Sequence, residues 1–217
     1  MRRTSTRPDR TDGGFSLVEL LVAMGIFTLV LGIFMSGVLV MYRDVNRSQA
    51  VATTSDALRK TFTTMDRQVR YAEGVNHAGL VNGSYYVEFR TPSGGGNPAQ
   101  CYQWRYAVSA GTLSYRTWTA TATAGTTWTP VAAGLRTDLT ESPFTMLKAV
   151  STGTSGDVSY TKQRLAVAIA GARGGGSEQM TTTFVASNSS IDAPGNKDVN
   201  VPGVSDSPVC TPGTTRS

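Results

Sequence analysis

The chain has 217 residues, 40% of them apolar and 16% charged, with a formal net charge of +5. That apolar share excludes a disordered chain, and so modest and scattered a charge gives no mark of a nucleic-acid binder. One His and two Cys leave little for a zinc site and cannot supply the thiolates of an iron–sulfur cluster.

In chain order, the first segment is the short polar stretch 1–14, MRRTSTRPDRTDGG. It carries Arg2, Arg3, Arg7 and Arg10 against Asp9 and Asp12. Net basic flanks stay in the cytoplasm, so the long C-terminal part is expected on the far side of the membrane. Residues 20–42, LLVAMGIFTLVLGIFMSGVLVMY, form a run of 23 without Asp, Glu, Lys or Arg. As a helix it spans about 34 Å, enough to cross a hydrocarbon core. The run is longer than the apolar part of a secretory signal peptide, and no small-residue cleavage pattern follows it. A carboxylate, Glu19, stands at its edge, five positions after Gly14. An ionised carboxylate beside lipid is costly unless paired, which makes Glu19 a functional candidate; the plainer reading is a side chain that reaches back to the interface.

The stretch Gly14-Phe15-Ser16-Leu17-Val18-Glu19-Leu20-Leu21-Val22-Ala23 closely resembles the class III signal sequence of type IV pilins and type II secretion pseudopilins. In that family a membrane-embedded prepilin peptidase cuts after the glycine and methylates the new N-terminus. The resemblance implies a leader of 1–14, cleavage between Gly14 and Phe15, and N-methylation of Phe15. It also implies that Glu19 of one subunit pairs with the Phe15 amine of its neighbour in a filament. In an apolar setting either charge left alone would be costly, so the pair would set the register of subunit addition.

The helix is expected to continue to about residue 72. Val51, Leu58, Phe62, Met65, Val69 and Ala72 recur at helical spacing, with Arg59, Lys60, Asp66, Arg67 and Arg70 on other faces and Gly74 as the stop. From residue 15 it would be about 87 Å long. Alternation then predicts strands at 84–90, 100–108 and 112–118, the last two joined by the turn Ser109-Ala110-Gly111. Further strands are expected at 126–131, 144–150, 164–170 and 179–186, with Gly174-Gly175-Gly176 as the turn before the last. The organisation is therefore leader 1–14, transmembrane half-helix 15–42, amphipathic half-helix 43–73, an extracytoplasmic β-rich domain 74–187, and an irregular, mobile tail 188–217. The fold class is α+β: a long N-terminal helix packed on an antiparallel β-sheet, pilin-like. The strand order after the helix is similar to that of the minor J-type pseudopilins and W-type minor pilins.

Little else carries chemistry. Cys101 and Cys210 both fall on the exported side, where a disulfide is expected to pin the tail to the second strand; two free thiols are the alternative. His77 has no metal-like spacing around it. The two glycine triplets lack the Lys-Ser/Thr of a phosphate loop. No nucleophile has a base at a recognisable spacing, so no catalytic residue, metal or cofactor is expected, and the protein is read as non-enzymatic. Trp104, Trp118 and Trp128, interleaved with Arg90, Arg105 and Arg116, leave open a DNA-contacting face.

The reading is a minor pilin or pseudopilin, first a single-pass cytoplasmic membrane protein and then part of an extracellular or periplasmic filament. Its partners are prepilin peptidase, other pilin subunits and the assembly platform of a pilus or secretion machine. The alternatives are a competence-type pilin that binds extracellular DNA and a bitopic membrane-anchored protein with another binding role.

Overall fold

The computed structural model describes Gly14 and residues 16–150, 160–172, 179–197, 208–210 and 216. The expected leader 1–13, Phe15 and the turn Gly174-Gly175-Gly176 lie outside the described residues. The chain divides into two compact units, Met1–Asn46 and Arg47–Ser217.

The described part of the first unit is helical. Helix α1 runs Leu17–Arg70, 54 residues, across both units. It begins at Ser16, whose hydroxyl accepts the Glu19 N–H at 3.2 Å and so caps one of the unpaired donors of the first turn. Ser16 and Glu19 stand at the two ends of a Ser-x-x-Glu capping pattern, and the Glu19 carboxylate lies at the positive end of the helix dipole. Two hydroxyls in the apolar stretch are turned onto the helix's own carbonyls: Thr28 on Gly25 at 2.9 Å and Ser36 on Ile33 at 2.7 Å. Neither of these hydroxyl hydrogens is thereby left for an apolar surrounding to desolvate.

In the second unit the helix buries Leu58, Thr61, Phe62, Met65 and Val69. The spacing of 4, 3 and 4 between Leu58, Phe62, Met65 and Val69 keeps them on one stripe. The helix ends at Arg70, and the Ala72 N–H closes the last turn on the Val69 carbonyl at 2.9 Å. Gly74 is not the stop. It opens the first strand, where a Cβ would lie 2.7 Å from Cγ1 of Val209.

Among the described residues nine strands follow: β1 Gly74–Val75, β2 Gly79–Val81, β3 Ser84–Thr91, β4 Gln100–Ala107, β5 Thr112–Thr119, β6 Thr129–Ala133, β7 Phe144–Leu147, β8 Arg164–Ala170 and β9 Gln179–Val185. They form two antiparallel sheets rather than the single one expected. The first has the order β1-β3-β4-β5-β6, with β2 also on β3; the second is β7-β8-β9. Asn82 and Gly83, both at positive φ (48° and 73°), make the two-residue turn that pairs β2 with β3. The expected strand 126–131 lies three residues later, as β6. The expected strand 144–150 stops at Leu147, and beyond it the Ala149 backbone bonds instead to the Asn196 side chain at 2.7 and 2.8 Å.

Register divides the first sheet into two faces. Tyr85, Tyr106 and Leu113 lie in one row, Val87, Trp104 and Tyr115 in the next. These join Leu58, Phe62, Met65 and Val69 of the helix and Leu165, Val167, Ile169 and Phe184 of the second sheet in one hydrophobic core. The Trp104 indole N–H donates to Gln68 Oε1 at 2.9 Å, which ties helix to sheet. The opposite face carries Tyr86, Arg105 and Ser114, then Glu88, Gln103 and Arg116, then Arg90, Cys101 and Trp118. This outer face is covered too, since all of these except Arg90 and Arg105 are buried.

Candidate assembly site and the outer sheet face

Gly14, Ser16 and Glu19 are exposed, and so is every residue from Leu17 to Gln49. The large side chains among them are bare: Leu17 is 75% exposed, Phe27 65% and Met41 70%. A helix apolar all round has its stable place among other apolar groups, whether lipid or neighbouring helices, and not in water. Its length and composition suffice for one membrane crossing. A Cβ placed on Gly25, Gly32 or Gly37 would meet nothing within 4 Å, so no contact within the chain requires these glycines. Among the site residues read from the sequence, Gly14 and Glu19 stand close in sequence at the start of α1, while Phe15 between them lies outside the described residues.

The residues of the DNA reading are separated by the fold. Trp104 is in the core. Arg90 is paired with Glu73. Arg116 is buried on the outer face, where its Nε donates to Gln103 Oε1 at 2.7 Å and its Nη1 to the Gly125 carbonyl at 2.6 Å. Desolvation is the main influence on that guanidinium and lowers its pKa from the ordinary value. The loop between β5 and β6 places Trp128 against two arginines, its ring centre 4.3 Å from the Arg105 guanidinium carbon and 4.6 Å from that of Arg116. What reads in the sequence as an open aromatic and basic face is largely an internal layer.

Cys101 and Cys210 are bonded to each other, with Cα atoms 5.9 Å apart, and with Trp118 and Val209 they make a second small core. The described tail residues form no helix or strand, yet they are not loose. Ser189, Ala193, Val209 and Cys210 are buried, and the Ser189 hydroxyl accepts the Gln163 N–H at 2.7 Å.

Sequence reasoning missed a polar cluster next to the disulfide. Glu88 has no exposed surface. Its carboxylate accepts from Gln103 Nε2 at 2.8 Å, Asn76 Nδ2 at 3.1 Å and the Arg216 guanidinium at 2.8 and 3.1 Å. The signal in the sequence was Glu88 itself, a carboxylate inside the apolar run Tyr85-Tyr86-Val87-Glu88-Phe89. Among the described residues no three His, Cys, Asp or Glu side chains group as a metal site.

A capped N-terminal turn with a carboxylate in it leads straight into an exposed apolar helix, an arrangement that fits single-pass membrane anchoring. The family model described as the prokaryotic N-terminal methylation motif matches residues 9–35. No similar curated protein and no similar solved structure was found. This motif, over 27 residues at the helix start, supports a type IV pilin-like prepilin, and the fold of the chain is α+β.

Proposed function

We propose that the chain is a minor type IV pilin or pseudopilin, a non-enzymatic structural subunit of a pilus or secretion pseudopilus. Prepilin peptidase cuts between Gly14 and Phe15 and methylates the Phe15 amine. The mature chain waits in the cytoplasmic membrane, with the unit Arg47–Ser217 outside, and is then handed by the assembly platform to other pilin subunits. Glu19 pairs with the Phe15 amine of the preceding subunit. The observation that carries this reading is the run of the methylation motif directly into a helix whose apolar side chains are exposed on every side. Lipid and neighbouring helices are comparably apolar, so movement from membrane to filament costs such a surface little. The charge of Glu19 is then the part that discriminates. The competence-type alternative draws no support from the outer sheet face, where Arg116 and Trp118 are buried.

Intact-mass spectrometry of the membrane-extracted protein tests the reading. The expected mass is that of a chain beginning at Phe15 with one added methyl group. A chain that keeps residues 1–14 when co-expressed with its own peptidase overturns it. Glu19→Ala is expected to leave cleavage normal and to lower incorporation into filaments; unchanged incorporation refutes the pairing.

A further inference from the structure

We infer that the outer face of the first sheet holds a guanidinium-recognition pocket, and that Arg216 is its built-in ligand. Glu88, on β3, supplies the floor. Arg216 meets it as a fork, with Nη2 on Oε2 at 2.8 Å and Nε on Oε1 at 3.1 Å. Nη2 also donates to the His77 carbonyl at 2.6 Å, a further acceptor beyond the carboxylate. The Arg216 side chain is 10% exposed and that of Glu88 not at all. Two neutral donors fix the carboxylate before the arginine arrives: Gln103 holds Oε1, and Asn76 holds Oε2. Gln103 is itself oriented by Arg116, which donates to its oxygen at 2.7 Å. Paired, planar acceptors of this kind select a guanidinium over an ammonium group.

The pocket is continuous with two further seats for the same segment. Asn76, with its nitrogen on Glu88, accepts the Val209 N–H on its oxygen at 2.9 Å. Val209 lies in the space left by the missing Cβ of Gly74, and Cys210 is bonded to Cys101. Three anchors of different chemistry (an apolar notch, a covalent bond and a charged fork) therefore fall within residues 209–216. Val209, Cys210 and Arg216 are thus each held on the sheet, and Arg216 supplies the charged anchor. A buried carboxylate that loses its ion-pair partner is strongly destabilising, so the empty pocket has a drive to take another guanidinium.

Chemical rescue on the full-length chain in detergent tests this. Arg216→Ala is expected to lower the thermal midpoint by roughly 6–20 °C. Millimolar ethylguanidinium should then raise the midpoint of Arg216→Ala saturably, while ethylammonium at the same concentration should not. The double variant Glu88→Gln/Arg216→Ala should ignore both, and Arg216→Lys should regain little of the wild-type midpoint. An Arg216→Ala chain as stable as wild type, or one in which ethylguanidinium acts alike on every variant, overturns the proposal. Should Arg216→Ala fail to fold, the wild-type chain still decides. With the disulfide intact, the Arg216 guanidinium should react with an arginine-selective dicarbonyl reagent at least about tenfold more slowly in the folded chain than in the reduced, denatured chain, since the fork on Glu88 has to open first. Equal rates overturn the proposal.

Discussion

Tyr106 should make the unit Arg47–Ser217 sensitive to alkali in a defined window. Its ring lies in the core with no exposed surface, and its hydroxyl donates to the Arg136 carbonyl at 2.7 Å. Burial disfavours the phenolate and raises the pKa from 10.0 to about 12, against a smaller opposing pull from Arg136. A raised pKa in the folded state means that the unfolded chain loses this proton first. The stabilisation is therefore complete below pH 10 and is lost as pH rises through 12. Two pKa units correspond to about 3 kcal/mol, with a slope approaching about 1.4 kcal/mol per pH unit between the two values. The assay is urea unfolding of wild type and Tyr106→Phe from pH 8 to 12. At pH 8 the variant should be less stable by about 1 kcal/mol, because the Arg136 carbonyl loses its donor. The gap should close and then reverse as pH climbs, since phenylalanine has no proton to lose. Tyr102, whose pKa burial also raises, is present in both chains and cancels in the comparison. Curves that stay parallel from pH 8 to 12 would refute the reasoning.

Replacing Cys101 and Cys210 together by Ser opens a cross-link between residues 109 apart in sequence. The loop-closure estimate puts the loss at up to about 5 kcal/mol, readable as a drop in urea midpoint that matches reduction of the wild-type chain. Gly111→Ala meets two obstacles, a φ of 58° and a Cβ that would lie 2.5 Å from the Leu135 carbonyl oxygen. Gly95→Ala meets only the first, at a φ of 59° with nothing within 4 Å. Both should be destabilised by about 1 kcal/mol or more, and Gly111→Ala clearly the further in denaturant titration. Leu58→Ala, inside the core, should cost the unit Arg47–Ser217 about 2–5 kcal/mol, whereas Leu39→Ala, 56% exposed, should leave its unfolding midpoint unchanged.

How far these features can be read from sequence depends on how far apart the partners lie. The methylation signal and the helix are local, so their residues name themselves. The strands β3, β4, β5 and β8 carry clear patterns, and 164–170 was placed to the residue. The short strands β1 and β2 hold too few residues for a pattern, although Asn82-Gly83 was a turn signal that went unused. The division into two sheets rests on pairings between distant segments that no periodicity encodes. The outer face shows the same limit more sharply. Alternation predicts a strand buried on one side, but five consecutive residues of β3, Tyr85 to Phe89, are buried. The second cover comes from the β5–β6 loop and the tail, and it converts an apparently open Arg/Trp surface into an interior. The tail itself is rich in Asn, Ser, Pro and Gly and looked mobile. Its anchors are single side chains placed opposite partners far upstream, which composition does not register.

The Glu88–Arg216 pair also has a place in time. The two residues are 128 apart in sequence. At ribosomal speeds of about 5–20 residues per second, roughly 6–26 seconds separate the appearance of the carboxylate from that of its counter-ion. Through that interval a β3–β5 meander can close one face over the helix but cannot dehydrate the other without stranding a charge. The outer face therefore stays wet until Arg216 has been made. The emerging domain is asymmetric in time as well as in space, with its apolar side able to set early and its polar side sealed only once both halves of the pair are present.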